Sequence, residues 1–204
     1  MALIKSISGI RGTIGGKPGD NLSPTDVVKF TAAFSSWLIE KKAIKKIVIG
    51  RDGRISGPMV RDLVISTLTG MGIDVVDLGL STTPTVELAV KWEKAGGGII
   101  ITASHNPQEW NALKLLNAEG EFISEEDGMI VLEKALKENY VFSPVDKLGS
   151  YSFNHSYLQK HIETVVNYPL VDNKLFKPSV IEWYWMQSIL PVLYLFLLCC
   201  AHWE

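Results

Sequence analysis

Gly98-Ile99-Ile100-Ile101-Thr102 is an apolar run that breaks at once into a small polar loop, Ala103-Ser104-His105-Asn106-Pro107. Three isoleucines in a row leave no polar face, so the run suits a strand covered on both sides. Residues 46–50 and 73–78 repeat the pattern. Each is a short apolar run that ends in a loop rich in Gly, Arg, Ser and Thr. Helical spacing fills the intervals. Ser23-Pro24 reads as an N-cap with Pro in the first turn, ahead of Val27, Phe30, Phe34, Trp37 and Leu38. Val60, Leu63, Val64, Thr67 and Leu68 mark a second helix closed near Gly70 and Gly72. Thr83-Pro84 opens a third, which runs to about Lys94. Ser124-Glu125-Glu126-Asp127 resembles a capping box for a helix ending near Asn139, and 157–166 reads as one more helix. Residues 112–116 and 121–123, joined by Asn117-Ala118-Glu119-Gly120, read as a hairpin. The expectation is an α/β chain folded as a three-layer α/β/α sandwich with a mainly parallel mixed sheet.

Composition narrows the function classes. The chain has 204 residues, 47% hydrophobic and 21% charged, with a formal net charge of -2. Those values are ordinary for a globular chain and argue against disorder. A near-neutral balance offers no basic surface for a phosphate backbone, so nucleic acid is not an expected partner. Two adjacent cysteines, Cys199 and Cys200, are too few for a disulfide framework or a Cys-ligated zinc site. The N-terminus has no apolar core of signal-peptide length, so the cytoplasm is the expected location. No protein partner is evident from the sequence.

The chemistry is expected in the loops beyond the carboxyl ends of the strands, where open α/β sheets bind ligands. Three follow the strands: Gly50-Arg51-Asp52-Gly53-Arg54-Ile55-Ser56-Gly57, Gly79-Leu80-Ser81-Thr82-Thr83-Pro84 and the Ser104 loop. A fourth candidate loop, Ser8-Gly9-Ile10-Arg11-Gly12-Thr13, sets an Arg between glycines. Glycines admit backbone N–H groups to a phosphate, and Arg grips it with paired hydrogen bonds. Ser104 needs a base, a metal or a positive environment to react; His105 is the candidate to move a proton, and Lys114 and Arg11 are the candidates to supply charge. Arg51 and Arg54 read equally well as phosphate contacts or as members of an ion pair with Asp52 or Asp62. Ser81-Thr82-Thr83-Pro84 reads mainly as a helix cap. His155 and His161 read as polar faces of the last helix.

Taken together, the loops resemble those of the α-D-phosphohexomutases. Thr102-Ala103-Ser104-His105-Asn106-Pro107 is similar to that family's phosphoserine loop. Gly9-Ile10-Arg11-Gly12 resembles its N-terminal Gly-Ile-Arg-Gly segment, and residues 50–57 resemble its Gly-Arg-Asp-x-Arg-x-Ser-Gly segment. Trp110-Asn111-Ala112-Leu113-Lys114 stands where the family has Tyr-Asn-Gly-hydrophobic-Lys, with Trp for Tyr and Ala for Gly. The resemblance covers about residues 1–170, the first of the family's four domains. It implies a phosphohexomutase that moves a phosphoryl group between the 1- and 6-positions of a hexose phosphate through phosphoserine and a bisphosphorylated hexose. Ser104 would be the phosphoryl carrier and, through its phosphate, a Mg²⁺ ligand. His105 and Lys114 would assist proton transfer or charge balance, and Arg11 would contact the phosphoserine. A bisphosphorylated hexose would serve as activator. The family's metal loop, sugar loop and C-terminal phosphate loop have no counterpart here, so this chain alone is expected to be inactive. The alternative is a non-catalytic α/β domain that binds phosphosugars or a partner, with its apolar tail as anchor or interface.

The chain is expected to divide into 1–150 (the phosphoserine domain), 151–178 (helix and linker towards a second domain) and 179–204, an aberrant apolar tail. The tail carries two charges, Glu182 and Glu204, no Gly, and three of the six Trp. Residues 189–201 would make a helix of about 20 Å, short of a hydrocarbon core of about 30 Å, so membrane insertion is not expected. The codons of Trp183-Tyr184-Trp185-Met186 are nearly fixed. Read one base earlier, they spell Val-Leu-Asp after a first hydrophobic residue, which resembles the opening strand of the family's second domain. The expectation is out-of-frame translation from about residue 178. Sequencing the DNA over these codons tests it: the other frame should continue as mutase-like sequence, and a frame without it sinks the idea.

Overall fold

The computed structural model describes residues 3–6, 9–42 and 44–170. The three apolar runs form β3 (Lys46–Arg51), β4 (Asp74–Leu80) and β5 (Gly97–Ile101). They sit side by side and parallel in the order β5-β3-β4. Around them lie β1 (Ile4–Ser6), β2 (Gly9–Thr13), β6 (Trp110–Leu116) and β7 (Tyr151–Phe153), giving one sheet of order β1-β2-β6-β5-β3-β4-β7. The β5-to-β7 half is parallel, and the β1-to-β5 half is antiparallel.

Both faces of the sheet are covered, as the isoleucine run requires. Ile47, Ile49, Ile99 and Ile101 pack against α1 (Pro24–Lys42), α2 (Gly57–Gly70) and α4 (Glu125–Lys137). Val48, Val76, Leu78 and Ile100 face α3 (Thr83–Trp92) and α5 (Ser156–Val166). The architecture is therefore the expected three-layer sandwich. Two glycines set the approach of α3. A Cβ on Gly50 would lie 2.6 Å from Val86 Cγ2, and one on Gly98 would lie 2.8 Å from Val90 Cγ2.

The caps follow the sequence signals. The Ser23 hydroxyl accepts from the Asp26 N–H at 3.3 Å, and the Asp26 carboxylate accepts from the Ser23 N–H at 3.1 Å, which closes a capping box. Ser124 accepts from the Asp127 N–H at 3.1 Å. The Asp127 carboxylate instead reaches across to α1, where Trp37 Nε1 and Lys41 Nζ donate to it at 3.1 and 2.6 Å.

Four local points bear on the expectations. Residues 9–13 are not a loop but strand β2, because antiparallel β6 offers them a free edge. The expected hairpin forms, but it is short. β2 covers β6 only from Trp110 to Leu113, so Leu116 bridges Phe122 antiparallel on the free edge, with the Asn117 N–H donating to the Glu121 carbonyl at 2.8 Å and the Ile123 N–H to the Leu115 carbonyl at 3.1 Å. β7 had no apolar pattern to announce it, since its three residues are all exposed. Arg61 ties it down by donating to Asp77 at 2.6 Å and to the Tyr151 hydroxyl at 2.9 Å. His161 does not lie on a polar face. It is 8% exposed, and its Nδ1 lies 2.8 Å from the Thr85 hydroxyl of α3.

β7 and α5 lie beyond residue 150, yet they join this same sheet and core. Tyr157 of α5 stacks on Trp92 at 5.9 Å and donates to the Glu93 carboxylate. Burial, then that carboxylate, push the Tyr157 hydroxyl up to about 12. The expectations for 171–178 and for the 179–204 tail lie outside the described residues. Among those residues no helix is long and apolar enough to cross a membrane.

His161 makes the fold sensitive to acid. Burial holds its pKa below the ordinary value, because imidazolium loses its hydration there. The unfolded chain then binds the proton more readily than the folded one. Stability from this group is present above about pH 6.5 and is lost as pH falls below it, by at most about 1.4 kcal/mol per pH unit. Thermal melts from pH 7.5 downward should show that decline. Its early part should flatten in His161→Gln, and an unchanged profile in the variant would refute the assignment.

Candidate active site

The loops after β3, β4 and β5 are drawn together by backbone bonds that continue past the strand ends. The Asp52 N–H donates to the Ile101 carbonyl at 3.1 Å, and the Ser81 N–H donates to the Arg51 carbonyl at 2.9 Å. Thr82 caps α3 by accepting from the Thr85 N–H, so the loop after β4 is a helix cap as expected.

The Ser104 loop is held from behind by one side chain. Arg54 is 6% exposed, and all five of its guanidinium N–H groups are used. Nε donates to Asp52 Oδ2 at 3.1 Å. Nη1 donates to the carbonyls of Pro107 and Trp110 at 2.7 and 3.0 Å. Nη2 donates to the carbonyls of Ser104 and Asn106, both at 2.8 Å. Of the two carboxylates considered for Arg54, the structure selects Asp52, while Asp62 lies 3.3 Å from Arg61. Asp52 also accepts from the Thr102 hydroxyl at 2.7 Å and from the Arg54 N–H at 3.0 Å. The Thr102 hydroxyl in turn accepts from the Ser104 N–H at 3.0 Å.

Ser104 itself adopts a left-handed backbone, with φ +55, and is exposed. A non-glycine residue in that region carries about 1–2 kcal/mol of strain, which the bonds on its N–H and carbonyl hold in place. His105 follows it and is also exposed. Asn111, which is fully buried, fixes the far end of the loop: it donates to the Ser56 hydroxyl at 2.9 Å.

Arg11 and Lys114 lie on strands beside this loop. Arg11 of β2 pairs with Ala112 of β6, and the Thr102 N–H donates to the Ala112 carbonyl. The three residues therefore lie abreast, which puts the Arg11 and Thr102 Cα atoms about 10 Å apart. Arg11 Nε is buried and has no hydrogen-bond partner among the described residues. Lys114 projects from the same face, opposite Ile100 and about 7 Å further from the loop along β6. Its Nζ sits 5.7 Å over the Phe122 ring. Glu87 of α3 is close enough to feel it: burial pushes the Glu87 carboxyl up, and the Lys114 charge opposes that shift.

Ser104, His105, Arg11 and Lys114 were all visible as sequence candidates. Arg54 was visible as a phosphate contact or as a member of an ion pair with Asp52 or Asp62, and Thr102 and Asn111 were visible only as members of motifs. Their signal was the presence of polar residues flanking fully apolar strands, where a polar group must find a partner.

The family model described as the phosphoglucomutase/phosphomannomutase α/β/α domain I matches residues 3–141. The chain belongs to the phosphoglucomutase/phosphomannomutase family. Its similarity to a phosphoglucomutase/phosphomannomutase of Thermococcus kodakarensis is 35% identity over 159 residues, covering 76% of this chain and 35% of that protein. A probable phosphoglucosamine mutase of Methanopyrus kandleri is 32% identical over 165 residues, 81% of this chain and 34% of the relative. The chain thus spans about a third of the length of the curated relatives it matches. Among solved structures, a family protein of Burkholderia thailandensis superposes with a TM-score of 0.68 at 24% identity, over 82% of this chain and 36% of that one. It shares the fold of this phosphohexomutase domain.

Among the described residues no group of three or more His, Cys, Asp and Glu side chains is placed to hold a metal ion. The one carboxylate under the loop, Asp52, is spent on Arg54 and Thr102. These residues do not by themselves make a Mg²⁺ site.

The strain at Ser104 is measurable. Ser104→Gly should melt above Ser104→Ala, by the equivalent of about 0.5–1 kcal/mol, since glycine relieves the left-handed strain at some entropic cost. Equal melting of the two variants would show that the backbone there is unstrained.

Proposed function

We propose that the chain is the phosphoserine-bearing part of a hexose-phosphate mutase and that Ser104 carries the phosphoryl group. The observation that carries this reading is the exposed Ser104 side chain on a loop whose main chain is held from behind. A carrier must meet its donor repeatedly in one geometry, and a fixed loop supplies that.

The exchange balances within the two reactants. A lone pair on Ser104 Oγ forms a bond to phosphorus of a hexose bisphosphate, and the phosphorus–oxygen bond to the sugar breaks. The serine hydroxyl gives up its proton, for which the neighbouring His105 imidazole is the acceptor, and the freed sugar oxygen takes one up. Arg11, with its unpartnered Nε on the face beside the loop, neutralises phosphate charge. Lys114 adds positive charge on the same face. Reversal of the step at the sugar's other end completes the isomerisation. The substrate is therefore a hexose phosphate, and the bisphosphate is both intermediate and activator.

Phosphorylated Ser104 would offer one oxygen to Mg²⁺. This is the contribution the described residues make to a metal centre. Mg²⁺ keeps its waters unless several oxygens are fixed around it. Taken alone, the chain accepts phosphate but does not complete the mutase cycle.

Incubation with glucose 1,6-bisphosphate tests the carrier role. Intact-mass measurement should show a gain of one phosphate, absent in Ser104→Ala. An assay coupling glucose 1-phosphate to glucose 6-phosphate should stay at background for the same preparation. No mass gain refutes the carrier role, and turnover that needs Ser104 refutes the dependence on groups from elsewhere.

A further inference from the structure

We infer that Arg54 is a positioning residue for Ser104, acting through Asp52 and Thr102 to set the rate at which the serine takes up a phosphoryl group. The inference rests on the carrier role proposed above. Its basis is a closed ring of hydrogen bonds. Asp52 Oδ2 accepts from Arg54 Nε, and Arg54 Nη2 donates to the Ser104 carbonyl. The Ser104 N–H donates to the Thr102 hydroxyl, which donates back to Asp52 Oδ2.

The ring holds both peptide groups that flank the Ser104 Cα, so it fixes the two torsions on either side of the side chain. Those torsions aim Oγ. A left-handed residue has an extended alternative of lower energy within reach, and nothing in the serine itself opposes the change. The ring opposes it. The three other carbonyls bound by Arg54 extend the hold to Asn106, Pro107 and Trp110, which spans the loop to the first residue of β6. None of this needs Arg54 to meet phosphate, and with five donors occupied it has none to offer.

Lysine cannot replace it. An ammonium has three donors around one point and cannot reach a carboxylate and four carbonyls spread around a planar fork. Arg54→Lys therefore keeps the charge beside Asp52 and removes the clamp. Thr102→Val is the milder companion variant: it leaves Arg54 in place and cuts the ring at the hydroxyl.

The test separates rate from extent in the 204-residue chain incubated with glucose 1,6-bisphosphate. A residue that only stabilises the fold lowers the fraction of chains that react and leaves the rate constant of the folded ones unchanged. A positioning residue lowers the rate constant at saturating bisphosphate, with the final extent still one phosphate per folded chain. The half-saturating concentration stays close to that of the unaltered chain, because Arg54 does not touch the donor. The expected fall is on the order of a hundredfold for Arg54→Lys and on the order of tenfold for Thr102→Val. If Arg54→Lys does not fold, Thr102→Val decides. An unchanged rate constant in a folded variant overturns the inference. If the unaltered chain takes up no phosphate, the carrier role fails by itself. Amide exchange at Asn106 and Trp110 then judges the clamp: faster exchange in Thr102→Val, with β3 and β5 still protected, upholds it, and unchanged exchange overturns it.

Discussion

One buried carboxylate, Asp52, organises the functional end of this domain. It neutralises Arg54, and Arg54 then has four further N–H groups for main-chain carbonyls that would otherwise point into a water-poor space. A buried ion pair of this kind adds little net stability over an apolar pair of the same shape. Removing one partner is another matter, since an unpaired buried charge costs about 3–5 kcal/mol. The pair is therefore better understood as a geometric device. It converts a loop that has few side chains to pack into one with a single shape.

The sheet makes that device possible. Covered on both faces by apolar residues, β3 and β5 are fixed relative to each other by their ladder. The ladder extends one bond further, from the Asp52 N–H to the Ile101 carbonyl. Asp52 and Thr102 are thus carried to adjacent positions at the edge of the core, where burial makes their hydrogen bonds strong. Arg11 reaches the neighbourhood by an independent route, through β2 and β6.

Much of this could be read from residue order. β3, β4 and β5 announced themselves by apolar runs, α1 by the N-cap signal Ser23-Pro24, and α4 by Ser124 ahead of Asp127. The motifs brought Ser104 and Arg11 to attention. Other parts were hidden for physical reasons. Gly9-Ile10-Arg11-Gly12 has two residues that weaken a strand, so only the free edge of β6 makes it one. Tyr151-Ser152-Phe153 carries no buried residue, so it left no hydrophobic trace. His161 sits in a helix with several polar residues, and only the distant Thr85 decides which of them turns inward. The Arg54 clamp was invisible for a deeper reason: four of its acceptors are carbonyls, which every residue has, so no choice of side chain records them.

The strand order also bears on how the molecule is assembled. Arg11 lies near the start of the chain, yet its partner strand β6 is made only after β3, β4 and β5. Closing so long a loop is entropically costly and slow compared with pairing strands that are neighbours in sequence. The parallel centre, with the serine loop at its tip, can form first, and the β1–β2 edge is added afterwards. A growing chain that has reached Ser104 but not Leu116 therefore has its serine loop before it has a strand on which to seat Arg11.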